Sequence, residues 1–235
     1  MRPAITVTTS WDDGHVLDLR LAELLNTYRL PATFYISPDN REFKPADRLS
    51  PEQVRQLGAN FEIGAHTLTH PRLTTITGPE AESEITQSKH ALESIIARPV
   101  DTFCYPGGDF NSSHLPLVRS AGYKYARTIT RFKIEVGPDP LRAPTTIHAY
   151  RHWSDIIQIL RLARFHPLKF MNYLLNWDAL AIHLFERTRL AGGIFHLWGH
   201  SWEIENNHDW ARLERVFAHI SRHPDIQYRT NGELV

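Results

Sequence analysis

The chain has 235 residues, 42% hydrophobic and 22% charged, a globular composition long enough for one substantial core. Lys plus Arg and Asp plus Glu both number 26, which excludes a basic field for nucleic acid and an acidic tail. The lone Cys104 excludes an intramolecular disulfide, and no apolar run reaches the roughly 18 residues of a membrane span. The first residues also lack a signal-peptide pattern, so a cytoplasmic location is expected.

A β-rich run from Ile5 to Thr9 leads into "SWDDGH", and Leu17, Leu21, Leu24 and Leu25 then recur at helical spacing up to Tyr28. "PATFYI" reads as a strand entered by a proline. Ser50, Pro51 and Gln53 form a capped helix start, and the short strand "FEIGA" ends at His66. Gly78-Pro79-Glu80 opens a long helix with Ala81, Ile85, Leu92, Ile95 and Ile96 on one face, followed by the strand "VDTFCY". "HLPLVRSAGY" is a short helix closed by Gly122, "YKYARTI" a strand, and "LRAPTTI" a weaker one interrupted by Pro144. A helical insertion is expected at about 152–190, as "SDIIQILRLARF" and a longer helix from about Lys169. Its aromatics (Phe170, Tyr173, Trp177, Phe185) read more readily as core than as a lid. The strand "GGIFHLWGH", the helix "DWARLERVFAHIS" and the strand "IQYRT" complete the chain. Strands alternating with helices, with no linker or repeat, predict one α/β domain over 1–235, built on a parallel sheet with its function at the carboxyl ends of the strands.

Polar groups collect at those ends. Asp12 and Asp13 follow the first strand, His66 and His70 the third, "YPGGDFN" the fourth, and His196 and His200 the seventh. Two adjacent aspartates repel unless something nearby wants negative charge, and the four-residue spacing of "HTLTH" lets a turn or tight loop aim both imidazoles at one point. One carboxylate with two histidines makes an open divalent-metal site, suited to zinc, cobalt, nickel or iron. Each motif alone has a plain structural reading, a solvated Asp-Asp-Gly turn or a surface His pair. Their joint placement at strand ends favours chemistry.

"SWDDG", "HTLTH", "YPGGDFN" and the late histidine strand, in that order, resemble the polysaccharide deacetylases of carbohydrate esterase family 4, the NodB-homology domain. The resemblance runs from about Thr6 to Val235. It implies a distorted (β/α) barrel of about seven parallel strands and a metal-dependent hydrolase, most often with zinc, that removes N-acetyl groups from an acetylated sugar or glycan. By motif position it implies Asp12 as catalytic base, Asp13, His66 and His70 as metal ligands, and the Gly107 N–H as an oxyanion donor. "GHSWEIE" resembles a His-Pro-Trp-Glu-Ile form of the last motif, which selects His200 as general acid.

Two alternatives to this function remain open at this level: hydrolysis of another amide, such as a cyclic ureide or formamide, and glycan binding without catalysis. The chain departs from the family's Arg-x-Pro form, since Cys104 stands where many relatives carry the arginine that orients the base. Arg127 and Arg142 are the candidate replacements, with Arg127 favoured by its place at a strand end. Tyr105, His196 and Trp198 are expected to meet substrate, with a core role for His196 as the competing reading. Cys104 reads as a buried small residue rather than a nucleophile.

Overall fold

The computed structural model describes residues 4–235; residues 1–3, the head of the expected domain, lie outside the described residues. β1 (Ile5–Asp13) is buried at every position but Thr6, so it lacks the polar alternation of a strand with one wet face. α1 (Asp18–Tyr28), β2 (Thr33–Ile36), α2 (Pro51–Gly58) and β3 (Glu62–Ala65) follow. The expected cap at Ser50 is a reciprocal one: Ser50 Oγ accepts from the Gln53 N–H, and Gln53 Oε1 accepts from the Ser50 N–H. α3 (Gly78–Ile96) has the same device at Thr77 and Glu80 and buries Ala81, Ile85 and Leu92. β4 (Thr102–Cys104), α4 (His114–Ser120), β5 (Tyr125–Arg127) and β6 (Ile147–His148) are short. After them come α5 (Ile156–Leu162), α6 (Pro167–Leu175), α7 (Trp177–Ala191), β7 (Gly193–Gly199), α8 (Ser201–Asn206), α9 (Trp210–Ile220) and β8 (Gln227–Tyr228).

The sheet runs β5-β4-β3-β2-β1-β7-β6, with every pairing parallel, and the short β8 pairs beside Thr6 and Val7 of β1. β1 pairs with β7 from Ile5 to Trp11, while its other edge serves β8 first and β2 from Ser10 onward. Residues 143–148 draw the two ends of the sheet together. Ala143 bonds to Ala126 and Thr128 on the β5 side, whereas Thr146 and Ala149 bond to His196 and Trp198 of β7. This is a distorted (β/α) barrel of seven principal strands, closed on one side by a segment mostly too irregular to count as a strand. Pro144 accounts for that irregularity, since it has no N–H to give a ladder.

The helical stretch expected over about 152–190 divides in two. α7 buries Trp177, Leu180, Leu184 and Phe185 against β7, β6 and α9, so it is an ordinary outer helix of the barrel. Only α5 and α6 are additional to the barrel repeat. Phe170 and Tyr173 pack partly against the core from there. Because all strands are parallel, residues following β1, β3, β4 and β7 meet at one end of the barrel.

Candidate functional site

Along an extended strand Asp12 and Asp13 would point to opposite sides. The backbone of Asp13 itself defeats that alternation, with φ of 84°, and Gly14 follows at 73°. A Cβ on Gly14 would stand 2.8 Å from Ile36 Cγ2, so the turn needs glycine there. The Asn40 side-chain amide holds the turn by donating to the Asp13 carbonyl at 3.2 Å. "HTLTH" forms a loop, with positive φ at Thr67 and His70. Glu84 of α3 braces it: its Oε2 accepts from the N–H groups of Leu68 and Thr69, and its Oε1 from the Thr69 hydroxyl.

These two turns bring three donors together. His66 Nε2 lies 3.5 Å and His70 Nε2 3.1 Å from Asp13 Oδ1, an oxygen that is buried without a hydrogen-bond partner. Two ligands held at 2.0–2.1 Å on a tetrahedral ion stand about 3.3 Å apart, so the trio fits a divalent cation such as zinc. The His66 Nδ1–H donates to the Cys104 carbonyl at 2.7 Å, which leaves the Nε2 lone pair facing the trio. Trp202 Nε1 donates to Asp13 Oδ2 at 2.8 Å. Burial opposes ionisation of Asp13, but His200, then His66 and His70, outweigh it and hold the carboxyl well below its usual range. Burial tends to lower the His70 pKa, and the Asp13 and Glu42 carboxylates raise it on balance. Asp18, wholly buried at the start of α1, is pushed well above its usual range by burial.

Asp12 is held differently. Its Oδ2 accepts from Arg127 Nη2 inside the barrel, while its Oδ1 has no hydrogen-bond partner. Arg127 is 0% exposed, lies 4.4 Å over the Trp198 ring, and puts Nη2 2.9 Å from Cys104 Sγ. Cys104 and Arg127 are register partners on β4 and β5. The small thiol therefore leaves the room through which the neighbouring strand delivers its guanidinium. Burial pushes the Cys104 thiol well above its usual range, so it stays protonated. Arg142 is exposed, its guanidinium 5.9 Å from the Phe110 ring.

His200 caps the end of β7, its Nε2 3.8 Å from Asp13 Oδ2 and 3.9 Å from Asp12 Oδ2. Its Nδ1 lies 2.5 Å from Glu203 Oε2 on α8. That distance belongs to a hydrogen bond rather than to two ligands of one ion. Burial opposes the charge on His200, but Asp13, Glu203 and Asp12 outweigh it and raise the imidazole to about 9. Burial pushes the Glu203 carboxyl upward, and bonds from His148 and His200 reverse this to about 2. The chain of contacts continues outward, with His148 Nε2 3.0 Å from Glu203 and His148 Nδ1 2.7 Å from His152 Nε2. Burial lowers His148 to about 3, so it is neutral.

The three residues expected to meet substrate are all buried in this structure. The Tyr105 hydroxyl donates to the Leu141 carbonyl, and its ring stacks on Phe110 at 4.0 Å with no surface exposed. His196 sits 2.8 Å from Ser10 Oγ and is kept neutral by burial and by Arg127. Trp198 lies between Arg127 and His148, stacking on the latter at 3.7 Å. All three form the wall behind the site. Gly107, by contrast, is exposed in the turn after β4 with φ of 60°. Sequence reasoning missed Trp202, Glu203 and His148. Glu203 sits three residues past His200, the spacing at which side chains on one helix face meet, a signal that could have found it.

Fold and site together define an α/β barrel with a cluster of carboxylates and histidines, able to hold a metal ion, at the carboxyl ends of its strands. The chain belongs to the polysaccharide deacetylase family, whose model matches residues 2–126. A Bacillus subtilis protein assigned to the polysaccharide deacetylases is 25% identical over 124 residues, which cover 52% of this chain and 44% of that one, so the match spans less than half of the relative. A peptidoglycan deacetylase of Helicobacter pylori is 22% identical over 228 residues, covering 92% of this chain and 73% of that one. Among solved structures, a polysaccharide deacetylase-like protein of Mycobacterium smegmatis superposes with a TM-score of 0.69 at 17% identity, over 100% of this chain and 90% of the other. The chitin deacetylase of Colletotrichum lindemuthianum gives 0.61 at 15% identity, over 100% and 88%. These two likenesses concern the fold.

Proposed function

We propose that the protein is a metal-dependent hydrolase that removes the N-acetyl group from an acetamido sugar or glycan. The observation that carries this reading is the convergence of Asp13, His66 and His70 on one point beside Asp12 and His200. Asp13, His66 and His70 would hold the cation, zinc in the first place, which when bound polarises the acetyl carbonyl and offsets the charge developing on its oxygen. Asp12 takes the proton of the attacking water on Oδ1, the oxygen without a donor, while Arg127 holds Oδ2 and so orients the base. The exposed Gly107 N–H donates to the oxyanion. His200, charged and oriented through Nδ1 by Glu203, gives its Nε2 proton to the departing amine. The products are acetate and a free amine.

Acetate release from a panel of N-acetylated sugars and oligosaccharides, with zinc, cobalt, nickel or iron restored to the chelated protein, tests this. Turnover of a cyclic ureide or a formamide with none of an acetamide would overturn the substrate class. Saturable glycan binding without turnover under any metal would overturn catalysis.

A further inference from the structure

Ten large apolar side chains stand exposed among the described residues, and nine of them fall between Tyr150 and Leu190. Leu168, Met171 and Leu175 recur at the spacing of a single helix face on α6, and that face has no partner. Phe165, 71% exposed, precedes it in the turn from α5, and Leu190, 82% exposed, stands near the end of α7. Isolated exposed apolar residues are ordinary, but a concentration of this kind marks a surface that something covers.

Charge says what covers it. The chain is balanced overall, yet positions 156–177 hold no Asp or Glu, while Arg161, Arg164 and Lys169 are exposed there. With Arg187 of α7 they line a groove of about 700 Å³ that no carboxylate enters. The flanking acids are already committed, Asp155 to Arg131 and Asp178 to Arg215. Apolar side chains among uncompensated cations suit the interface of a bilayer that carries anionic lipid. A symmetric contact with a second copy would set these same cations against each other.

We propose that the outer face of α5 and α6 docks on an anionic lipid surface, with Phe165, Leu168 and Met171 entering the headgroup layer and the groove cations meeting lipid phosphates. This is attachment to a surface, since no helix among the described residues is long and apolar enough to cross a membrane. The face starts at Trp153, one residue beyond His152, so it shares the loop after β6 with the candidate site. The proposal stands on the surface alone and survives or fails independently of the deacetylase reading.

The test is co-sedimentation of the full chain with vesicles of phosphatidylcholine, alone or with about one third phosphatidylglycerol. Binding is expected to the anionic vesicles only, and to weaken when salt rises from about 0.1 M to about 0.5 M. Arg161→Glu and Lys169→Glu should each weaken binding about fivefold or more. Leu168→Ser with Met171→Ser should abolish it, with unchanged far-UV circular dichroism and unchanged turnover of a soluble substrate. Equal binding to both vesicle types, or none to either, overturns the proposal. So does a dimer seen by light scattering without lipid that the Leu168→Ser, Met171→Ser variant dissolves, which would assign the face to a second copy.

Discussion

Asp12 and Asp13 are chemically alike and adjacent, yet they meet different partners. Arg127 occupies one oxygen of Asp12 and leaves the other free, whereas Asp13 meets Trp202 with Oδ2 and turns Oδ1 to two imidazoles. Asp13→Asn should therefore weaken metal affinity by about tenfold or more, because an amide is a poor substitute for a carboxylate ligand. Asp12→Asn should retain the metal and lose turnover by roughly 10²-fold, the scale of removing a general base. Metal titration and steady-state kinetics on both variants check this, and the reverse pattern would exchange the two roles. The second prediction concerns His200, whose pKa of about 9 depends on Asp13 first among the anions and then on Glu203. Glu203→Gln removes one negative charge, so the proton on His200 is lost at lower pH. An NMR titration of the metal-free variant should show the His200 pKa below about 9, and the alkaline limb of kcat/KM should move the same way; an unmoved titration would deny Glu203 this part. The clustering of the aspartates, His66, His70 and His200 was legible because motif and strand-end position coincide. The burial of Tyr105, His196 and Trp198 was not legible, because a strand-end address says nothing about which side chain the neighbouring strands cover.

At the level of elements, hydrophobic periodicity located most helices and most strands but gave α6 and α7 as one helix and missed the short α8, and local chemistry gave Ser50 as a cap in advance. It overstated β4 and β5, which pair over three residues each, because strand length depends on where the neighbours stop. The positive φ at Asp13 was not legible, since nothing in an aspartate announces a turn that Asn40 and the β2 edge hold. Arg127 was found from its position after "YKYA", but its register with Cys104 needed the sheet. Packing between strands also carries a prediction. Gly64 on β3 faces the Tyr35 ring on β2 so closely that a Cβ would stand 2.5 Å from Cδ1 and 2.6 Å from Thr102 Oγ1. Tyr35 cannot retreat, because it is wholly buried and its hydroxyl accepts from Asn231 Nδ2. Gly64→Ala should destabilise the protein by about 1–3 kcal/mol, the range for overpacking, as read by urea unfolding. A midpoint equal to wild type would show that β2 and β3 separate more easily than this packing allows.

Over the whole molecule, the size of the core predicts a barrel that stands without a bound ion. The hydrophobic cluster runs from Ile5 to Ile226 through every layer, and the buried charges beside the centre are matched by cations of the chain itself, Asp12 by Arg127, Glu203 and Asp13 by His200. Removal of an ion held by Asp13, His66 and His70 would therefore leave Asp13 near partners rather than stranded, unlike a structural site whose ligands repel one another into unfolding. The contribution of the ion is its binding free energy to the folded state alone, about 2.7 kcal/mol at a hundredfold excess over Kd. For a chain of this length that corresponds to a fall in Tm of roughly 5–10 °C on chelation. The expected outcome is a protein with unchanged far-UV circular dichroism at 25 °C, a cooperative transition at the lower temperature, and no acetate release until the metal is returned. Loss of secondary structure together with the ion would mean instead that Asp13, His66 and His70 hold the ends of β1 and β3 in place, and that the centre is structural.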